Sequence, residues 1–285
     1  MTSKKLLQDF EAYLNANLPT AHSFHPHFQA AQIQMFKAGG KRFRPLLLLN
    51  VVDSYEPQLV ENSMRVALAI EMLHTYSLIH DDLPTFDDAP LRRGSETLHQ
   101  TYGEVTATLV GDALNTDSFT MIATCALRDD VKIALIKAFS LNAGGEGMVL
   151  GQAIDCFFED KKLTLDELTF LHIHKTAKLI AASLQMGAII VNLPKEKETL
   201  LYEIGLKIGL LFQVQDDIID ATQTAQEAGK PTSNDEAKNS FTNLLGVEGA
   251  NKEKQRIIEE IYTDFVKLDD SLKNRLTIMI EKYFN

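Results

Sequence analysis

Apolar residues recur at helical spacing along almost the whole chain, and clear two-residue alternation is scarce. Residues 64–80 and 200–219 are apolar on most faces, which predicts central helices rather than surface helices. Pro45 precedes another apolar stretch, so it is expected in the first turn of a helix. Further helices are predicted at about residues 3–17, 28–38, 105–127, 130–150, 165–192 and 251–284. The pattern therefore predicts an all-α protein.

The chain is long and apolar enough to bury one large core. It has 285 residues, 45% of them hydrophobic, and no linker rich in Pro, Gly or Ser; a single domain over residues 1–285 is expected. The formal net charge of -11 argues against nucleic acid and anionic membrane surfaces as partners. The longest apolar run is interrupted by Glu71 and His74, which favours a buried helix over a membrane span.

Two further features indicate a reduced compartment. Cys125 and Cys156 are the only cysteines, and neither has a nearby partner at zinc spacing. The N-terminal segment carries acidic residues where a signal peptide needs an apolar block. A cytoplasmic protein is expected.

Candidate chemistry is concentrated in two aspartate clusters, each at the end of an apolar stretch. The first contains Asp81, Asp82 and Asp87, and the second contains Asp216, Asp217 and Asp220. Like charges beside a hydrophobic core need neutralising, and Mg²⁺ prefers oxygen ligands and commonly bridges to phosphates. The clusters therefore predict a site for a magnesium–diphosphate complex.

Helical spacing places several of these side chains together. Asp216 and Asp220 stand on one face of a helix, with Gln213 one turn earlier, so three oxygens can converge on a cation. In the first cluster Pro84 disfavours helical backbone at Leu83, and Asp87 must return from a loop to share a ligand. A ligand shared by both clusters requires a fold that brings the two helices across one cavity.

Six motifs in order resemble the trans-isoprenyl diphosphate synthases, most strongly the bacterial farnesyl diphosphate synthases. They span residues 39–45, 80–94, 111–114, 147–152, 174–176 and 212–217, reading GGKRFRP, HDDLP through LRRG, GDAL, GM with GQ, HKT and FQVQDD. The resemblance runs from about residue 30 to residue 246. It implies an isoprenoid-synthase-type helical bundle around a central cavity, usually a homodimer.

The resemblance also implies a reaction and its residues. Isopentenyl diphosphate condenses with dimethylallyl or geranyl diphosphate to give (E,E)-farnesyl diphosphate, with three Mg²⁺ ions, replaceable by Mn²⁺, assisting ionisation of the allylic diphosphate. The matching metal ligands are Asp81, Asp87 and Asp216, with Asp82, Asp217 and Asp220 as supporting acids. The matching allylic-diphosphate residues are Arg92, Lys175 and Lys230, accompanied by Thr176, Gln213 and Lys238.

A second substrate site and a chain-length element follow from the same likeness. Lys41, Arg44, His74 and Arg93 match the isopentenyl diphosphate site. Tyr76 lies five residues before Asp81, about 7.5 Å along a helix, and with Ser77 it is expected to limit the product to fifteen carbons.

The chain departs from the family pattern in two places. Ala89-Pro90 replaces further aspartates of the first motif, and the segment before Gly229-Lys230 lacks a common acidic residue. Weaker metal affinity is expected from the first departure.

Other functions remain open on the sequence. A geranylgeranyl diphosphate synthase of the same family would share every motif. A class I terpene cyclase would not need Lys41, Arg44 and Arg93, and a non-catalytic partner subunit would have no reason to keep both acidic clusters.

Overall fold

The computed structural model describes residues 1–222 and 239–284 and confirms the all-α prediction. In chain order the helices are α1 Ser3–Ala16, α2 Phe28–Lys37, α3 Phe43–Tyr55, α4 Val60–Asp81, α5 Leu98–Tyr102, α6 Glu104–Ala123, α7 Asp129–Ala143, α8 Met148–Phe157, α9 Leu165–His172, α10 Lys178–Ile190, α11 Lys195–Thr222, α12 Phe241–Phe265 and α13 Asp270–Phe284. A short 3₁₀ turn, Pro57–Leu59, precedes α4, and a π-helical turn, Ile173–Ala177, joins α9 to α10. Strands β1 Leu91–Arg92 and β2 Ser95–Glu96 form a small antiparallel hairpin.

The chain forms two compact units. The first unit contains residues 1–46 and 61–132, and the second contains residues 47–60 and 133–285. In the first unit, α4 is the central helix, because all five residues from Val66 to Ile70 have no exposed surface. In the second unit, α10 packs along α11, and the run from Leu179 to Leu184 is likewise fully buried.

Glycine residues bring helices of the second unit into backbone contact. A Cβ on Gly205 would lie 2.4 Å from the Cα of Ala181, and a Cβ on Gly209 would lie 2.3 Å from the Cα of Ala177. Both distances are shorter than real Cβ contacts allow, so α11 can approach α10 this closely only because the side chains are missing.

Three long predicted helices are interrupted in the structure. The stretch predicted at 130–150 ends at Ala143 and resumes at Met148, because a Cβ on Gly147 would lie 2.0 Å from the backbone oxygen of Asn142. The stretch predicted at 165–192 contains the π-helical turn, and no glycine or proline in that turn indicates an interruption in the sequence. The helix predicted at 251–284 starts earlier, at Phe241, with non-helical backbone at Gly246, and breaks before Asp270.

One stretch, Asp129–Phe157, is long and apolar enough to cross a membrane by length and composition alone. The structure divides it into α7 and α8, which have 15 and 10 residues. At 1.5 Å per residue each is shorter than the hydrocarbon core of a bilayer, about 30 Å. Neither helix is therefore a membrane span by itself.

Candidate active site

The first acidic cluster occupies the C-terminal end of α4 and the loop that follows. The backbone N–H of Asp87 donates to the carbonyl of Asp81 at 2.9 Å, and the N–H of Ala89 donates to the carbonyl of Asp82 at 3.2 Å. These bonds fold the loop back on the helix end, as the sharing of a ligand requires. Asp81 is half-buried and Asp87 is exposed, so both carboxylates remain accessible to a ligand.

Asp82 has a different environment from its neighbours. It is buried, and its Oδ1 accepts a hydrogen bond from Arg92 Nε at 2.8 Å. Its Oδ2 is also buried and makes no hydrogen bond among the described residues. Burial raises the pKa of Asp82, whereas the hydrogen bond and the charge of Arg92 lower it. Asp82 therefore fixes the position of Arg92.

Two adjacent arginines of the hairpin, Arg92 and Arg93, contact different partners. Arg92 pairs with Ser95 in the β-ladder, and Arg93 begins the turn with φ 55° before Gly94 at φ 75°. Two consecutive positive φ angles are typical of a type I′ hairpin turn, which a non-glycine residue adopts at some cost. As a result, Arg92 donates to Asp82, whereas the Nη1 of Arg93 donates to the carbonyl of Gly39 at 2.6 Å.

A cluster of basic side chains surrounds Glu71 on α4. Arg42 Nη1 lies 2.7 Å from Glu71 Oε1, and Arg93 Nη2 lies 3.7 Å from the same atom. Arg42 also donates from Nε to Glu11, which is partly exposed. Gly40 is packed against the guanidinium of Arg93, since a Cβ there would lie 3.0 Å from its Cζ. Glu71 therefore holds two arginines in place around a closely packed loop.

Arg44 and His74 form a second pair in this cluster. Arg44 Nη1 lies 3.1 Å from His74 Nε2, and because a guanidinium only donates, Nε2 is the acceptor. Burial, and then the positive charges of Arg44 and Arg93, lower the pKa of His74 well below its usual range. His74 is therefore neutral, with its proton on Nδ1. Arg44 Nε is buried and makes no hydrogen bond among the described residues.

The basic cluster contains Lys41, Arg42, Arg44 and Arg93. Its three arginines outnumber Glu71 and Glu11, the carboxylates that form the described ion pairs with Arg42 and Arg93. Lys41 is exposed, whereas the arginines are buried or half-buried. The excess positive charge suits a phosphate or diphosphate, because guanidinium groups bind such oxygens with paired hydrogen bonds.

The proposed chain-length residues lie one turn before the acidic loop. Tyr76 is buried and its ring meets the ring of His80 edge-on, with 5.6 Å between ring centres. The Oγ of Ser77 donates to the carbonyl of His74 at 2.9 Å, within α4. Burial raises the pKa of Tyr76. The aromatic ring is thus buried and in contact with His80.

The second unit assembles the other predicted site residues on α8, α11 and the π-helical turn. Lys175 Nζ lies 2.5 Å from Asp155 Oδ2, and the hydroxyl of Thr176 donates to Gln213 Oε1 at 2.9 Å. A Cβ on Gly151 would lie 2.1 Å from the backbone nitrogen of Lys175, so α8 touches the π-helical turn directly. This close backbone contact brings Asp155 on α8 within ion-pair distance of Lys175.

The second acidic cluster lies on the last turns of α11. Asp216, Asp217 and Asp220 are half-buried. Asp217 Oδ2 accepts the backbone N–H of Phe241 at 2.7 Å, so this carboxylate anchors the start of α12. Lys230 and Lys238 lie outside the described residues.

Carboxylate oxygens are ligands that Mg²⁺ prefers, so the donor chemistry of both acidic clusters fits this ion. Among the described residues, however, no three His, Cys, Asp or Glu side chains are already grouped closely enough to bind a metal. A magnesium ion here would therefore need further oxygen ligands, which a diphosphate and water can supply.

Three residues of these centres were not predicted from the sequence: Glu71, Asp155 and His172. Glu71 had a usable signal, because a lone acid in an apolar helix requires a basic partner. Asp155 lies one turn after Gly151 on the same helix face, close to the motif at residues 147–152. His172 carries no spacing signal of its own.

Comparisons with known proteins identify the family of the chain. The polyprenyl synthetase family model matches residues 25–279 and so extends across both units. A farnesyl diphosphate synthase from Micrococcus luteus is 38% identical over 284 residues, covering 96% of each chain. A chloroplastic geranylgeranyl pyrophosphate synthase from Catharanthus roseus is 37% identical over 237 residues, covering 81% of this chain and 66% of the relative.

Among solved structures, the geranyltransferase from Helicobacter pylori complexed with magnesium and isoprenyl diphosphate superposes with a TM-score of 0.94. It is 46% identical, and the alignment covers 99% of this chain and 96% of that chain. The family model, the relatives and the solved structure match over most of the chain, which therefore belongs to the polyprenyl synthetase family of prenyltransferases.

Proposed function

We propose that this prenyltransferase condenses isopentenyl diphosphate with dimethylallyl diphosphate and then with geranyl diphosphate to give (E,E)-farnesyl diphosphate. The observation that carries the proposal is the end of α4, where Asp87 folds back onto Asp81 and Asp82 holds Arg92. This arrangement combines accessible carboxylates for a cation with a fixed guanidinium for a diphosphate. The match to a farnesyl diphosphate synthase over 96% of both chains supports the fifteen-carbon product.

The allylic diphosphate is assigned to the acidic clusters and their neighbouring bases. Asp81, Asp87 and Asp216 would hold magnesium, with Asp217 and Asp220 in support, and three ions per active site are expected. Magnesium held there, or manganese in its place, would supply positive charge that stabilises the diphosphate leaving group. Arg92 and Lys175, together with Lys230 and Lys238, bind the diphosphate oxygens, and Asp82 and Asp155 hold Arg92 and Lys175 in position.

Isopentenyl diphosphate is assigned to Lys41, Arg44, His74 and Arg93. The excess positive charge around Glu71 binds its diphosphate, and neutral His74 adds hydrogen bonding without further charge. The allylic carbon–oxygen bond ionises first, and its electron pair leaves with the diphosphate. The alkene carbon of isopentenyl diphosphate then attacks the allylic cation and forms the new carbon–carbon bond. The proton lost from the adduct passes to the released diphosphate, and no protein nucleophile is required.

We also propose a homodimer in the cytoplasm. On α6, Val105 and Leu109 lie one turn apart on the same face and are 74% and 52% exposed. An apolar pair of this kind on a helix is typical of a protein interface. Sedimentation velocity should give about twice the monomer mass of 31.8 kDa, and a Leu109→Asp variant should sediment as the monomer.

The reaction is tested by incubating the protein with labelled isopentenyl diphosphate, geranyl diphosphate and Mg²⁺, followed by chromatography. Farnesyl diphosphate is the expected product, and a chelator should abolish its formation. A twenty-carbon product from the unaltered protein would instead identify a geranylgeranyl diphosphate synthase. No condensation product at all would contradict the proposal.

Tyr76 provides the test of product length. Tyr76→Ala should deepen the space below Asp81 and shift the product towards twenty carbons, whereas Tyr76→Phe, which keeps the ring, should not. An unchanged product from Tyr76→Ala would remove Tyr76, and with it Ser77, from the chain-length assignment.

A further inference from the structure

Three side chains of the second unit form a hydrogen-bonded row from the π-helical turn to the end of α9. The hydroxyl of Thr176 lies 2.9 Å from Gln213 Oε1, and Gln213 Nε2 lies 3.3 Å from His172 Nδ1. His172 is 5% exposed, and its ring stacks on Phe241 with 5.5 Å between ring centres. The histidine is thus fixed on one side by the ring and on the other by the amide.

The chemistry of the amide defines the protonation of the histidine. An amide nitrogen donates hydrogen bonds and does not accept them, so His172 Nδ1 must be the acceptor and the ring proton lies on Nε2. Burial lowers the pKa of His172 to about 4, an effect that the nearby charge of Lys175 strengthens and those of Asp155 and Asp216 oppose. The imidazole is consequently neutral near pH 7, which is the state this hydrogen bond needs.

In this arrangement the amide of Gln213 has one orientation, and the buried Nε2–H of His172 makes no hydrogen bond among the described residues. One amide hydrogen points to His172, and the amide oxygen accepts from Thr176, so the proton of the Thr176 hydroxyl is used within the row. The second amide hydrogen of Gln213 makes no hydrogen bond recorded among the described residues. A flipped amide would present its oxygen instead, and an oxygen acceptor repels an anion.

We propose that His172 is a positioning residue that orients the amide of Gln213, so that its second hydrogen is donated to the diphosphate of the allylic substrate. Thr176 acts through the same amide rather than by contacting the diphosphate. The inference rests on the proposed function, because it takes the allylic diphosphate as the ligand of this centre.

Two substitutions separate orientation from packing. His172→Phe keeps a ring against Phe241 but has no acceptor for the amide, whereas His172→Asn loses the ring but places an oxygen near the position of Nδ1. His172→Phe should raise the dissociation constant of inorganic diphosphate in the presence of Mg²⁺ about tenfold by calorimetry, the usual effect of one hydrogen bond to a charged group. The KM for geranyl diphosphate should rise similarly, and that for isopentenyl diphosphate should not change. His172→Asn should remain within about threefold of the unaltered protein, because an intact amide orientation keeps most of that bond.

A double variant tests whether the effect passes through Gln213. In a Gln213→Leu background, neither His172→Phe nor Thr176→Val should weaken diphosphate binding further. Additive losses would overturn the inference, as would normal binding by His172→Phe or equal damage in both His172 variants. Should His172→Phe fail to fold, His172→Leu, which also lacks an acceptor for the amide, replaces it in both comparisons. Failure of the unaltered protein to bind diphosphate with Mg²⁺ would instead contradict the proposed function.

Discussion

Glu71 is the residue whose loss should disturb the basic cluster most. It is 1% exposed and lies 2.7 Å from Arg42 Nη1 and 3.7 Å from Arg93 Nη2. At an effective dielectric constant of about 20, these distances correspond to attractions of about 6 and about 4.5 kcal/mol. Desolvation of the buried carboxylate costs several kcal/mol, which offsets roughly half of that sum.

Glu71→Gln keeps the shape of the side chain and removes its charge. Arg93 then loses its ion pair with Glu71, and Arg42 keeps only its pair with the partly exposed Glu11, so we expect a loss of about 3–5 kcal/mol in the free energy of unfolding. Urea denaturation followed by circular dichroism measures this loss as a lower midpoint with an unchanged slope. Addition of inorganic diphosphate should restore more stability to Glu71→Gln than to the unaltered protein, because the anion supplies the missing negative charge.

The matched control is Glu11→Gln. Glu11 also binds Arg42, at 2.8 Å, but its side chain is 35% exposed, so its removal should cost no more than about 1 kcal/mol. If Glu71→Gln cost as little as Glu11→Gln, the buried carboxylate would not be organising the cluster and the electrostatic reasoning would be wrong.

The remaining predictions concern the second unit and the acidic loop. Gly151→Ala should lower the free energy of unfolding by about 1–3 kcal/mol and reduce turnover, because the added Cβ would meet the backbone of Lys175. Ala153→Ser, on the exposed face of α8, is the control. Equal effects of the two substitutions would contradict the close contact. His172 has a pKa of about 4 in the folded protein against about 6.5 when unfolded, so it contributes full stability above pH 6.5 that is lost as the pH falls towards 4. His172→Phe should therefore reduce the fall in stability across this range by about 3 kcal/mol, and parallel pH profiles would contradict the shift. Asp81→Asn should raise the Mg²⁺ concentration needed for activity and have little effect on the free energy of unfolding. Asp82→Asn should instead destabilise the fold and weaken geranyl diphosphate binding. Identical kinetics in the two variants would contradict the separate roles of Asp81 and Asp82.

Periodicity predicted the helices of this chain because their signal is local. The buried α4 and α11 were recognised from runs of apolar residues, and both acidic clusters fell at the ends expected for them. The interruptions were missed for physical reasons. A π-helical turn needs no special residue, and the tight turn at Gly147 depends on a contact with Asn142 that spacing does not reveal.

The sequence predicted candidate ligands but not most of the side chains that contact them. Lys175 and Arg92 were assigned from motifs, but the carboxylates that hold them, Asp155 and Asp82, have roles that only packing reveals. Asp82 was placed among the catalytic and supporting acids, and its contact with Arg92 depends on the turn at Arg93-Gly94. Hydrogen bonds between residues distant in sequence carry no periodic signal, so His172 could not be found in advance.

The π-helical turn at Ile173–Ala177 has a consequence for how the sequence can change in length. A π-helical turn holds an extra residue compared with an α-helical turn, and each residue advances an α-helix by about 100°. The extra residue is accommodated inside the wide turn, so deleting one residue from this segment would restore a regular helix from α9 into α10 without rotating α10. The fully buried residues from Leu179 to Leu184, and the contact of Gly205 with Ala181, would keep their places. The contacts of the turn itself, such as that of Thr176 with Gln213, would be disturbed instead. A one-residue deletion here should therefore cost the site its polar contacts and leave the packing of α10 against α11 intact.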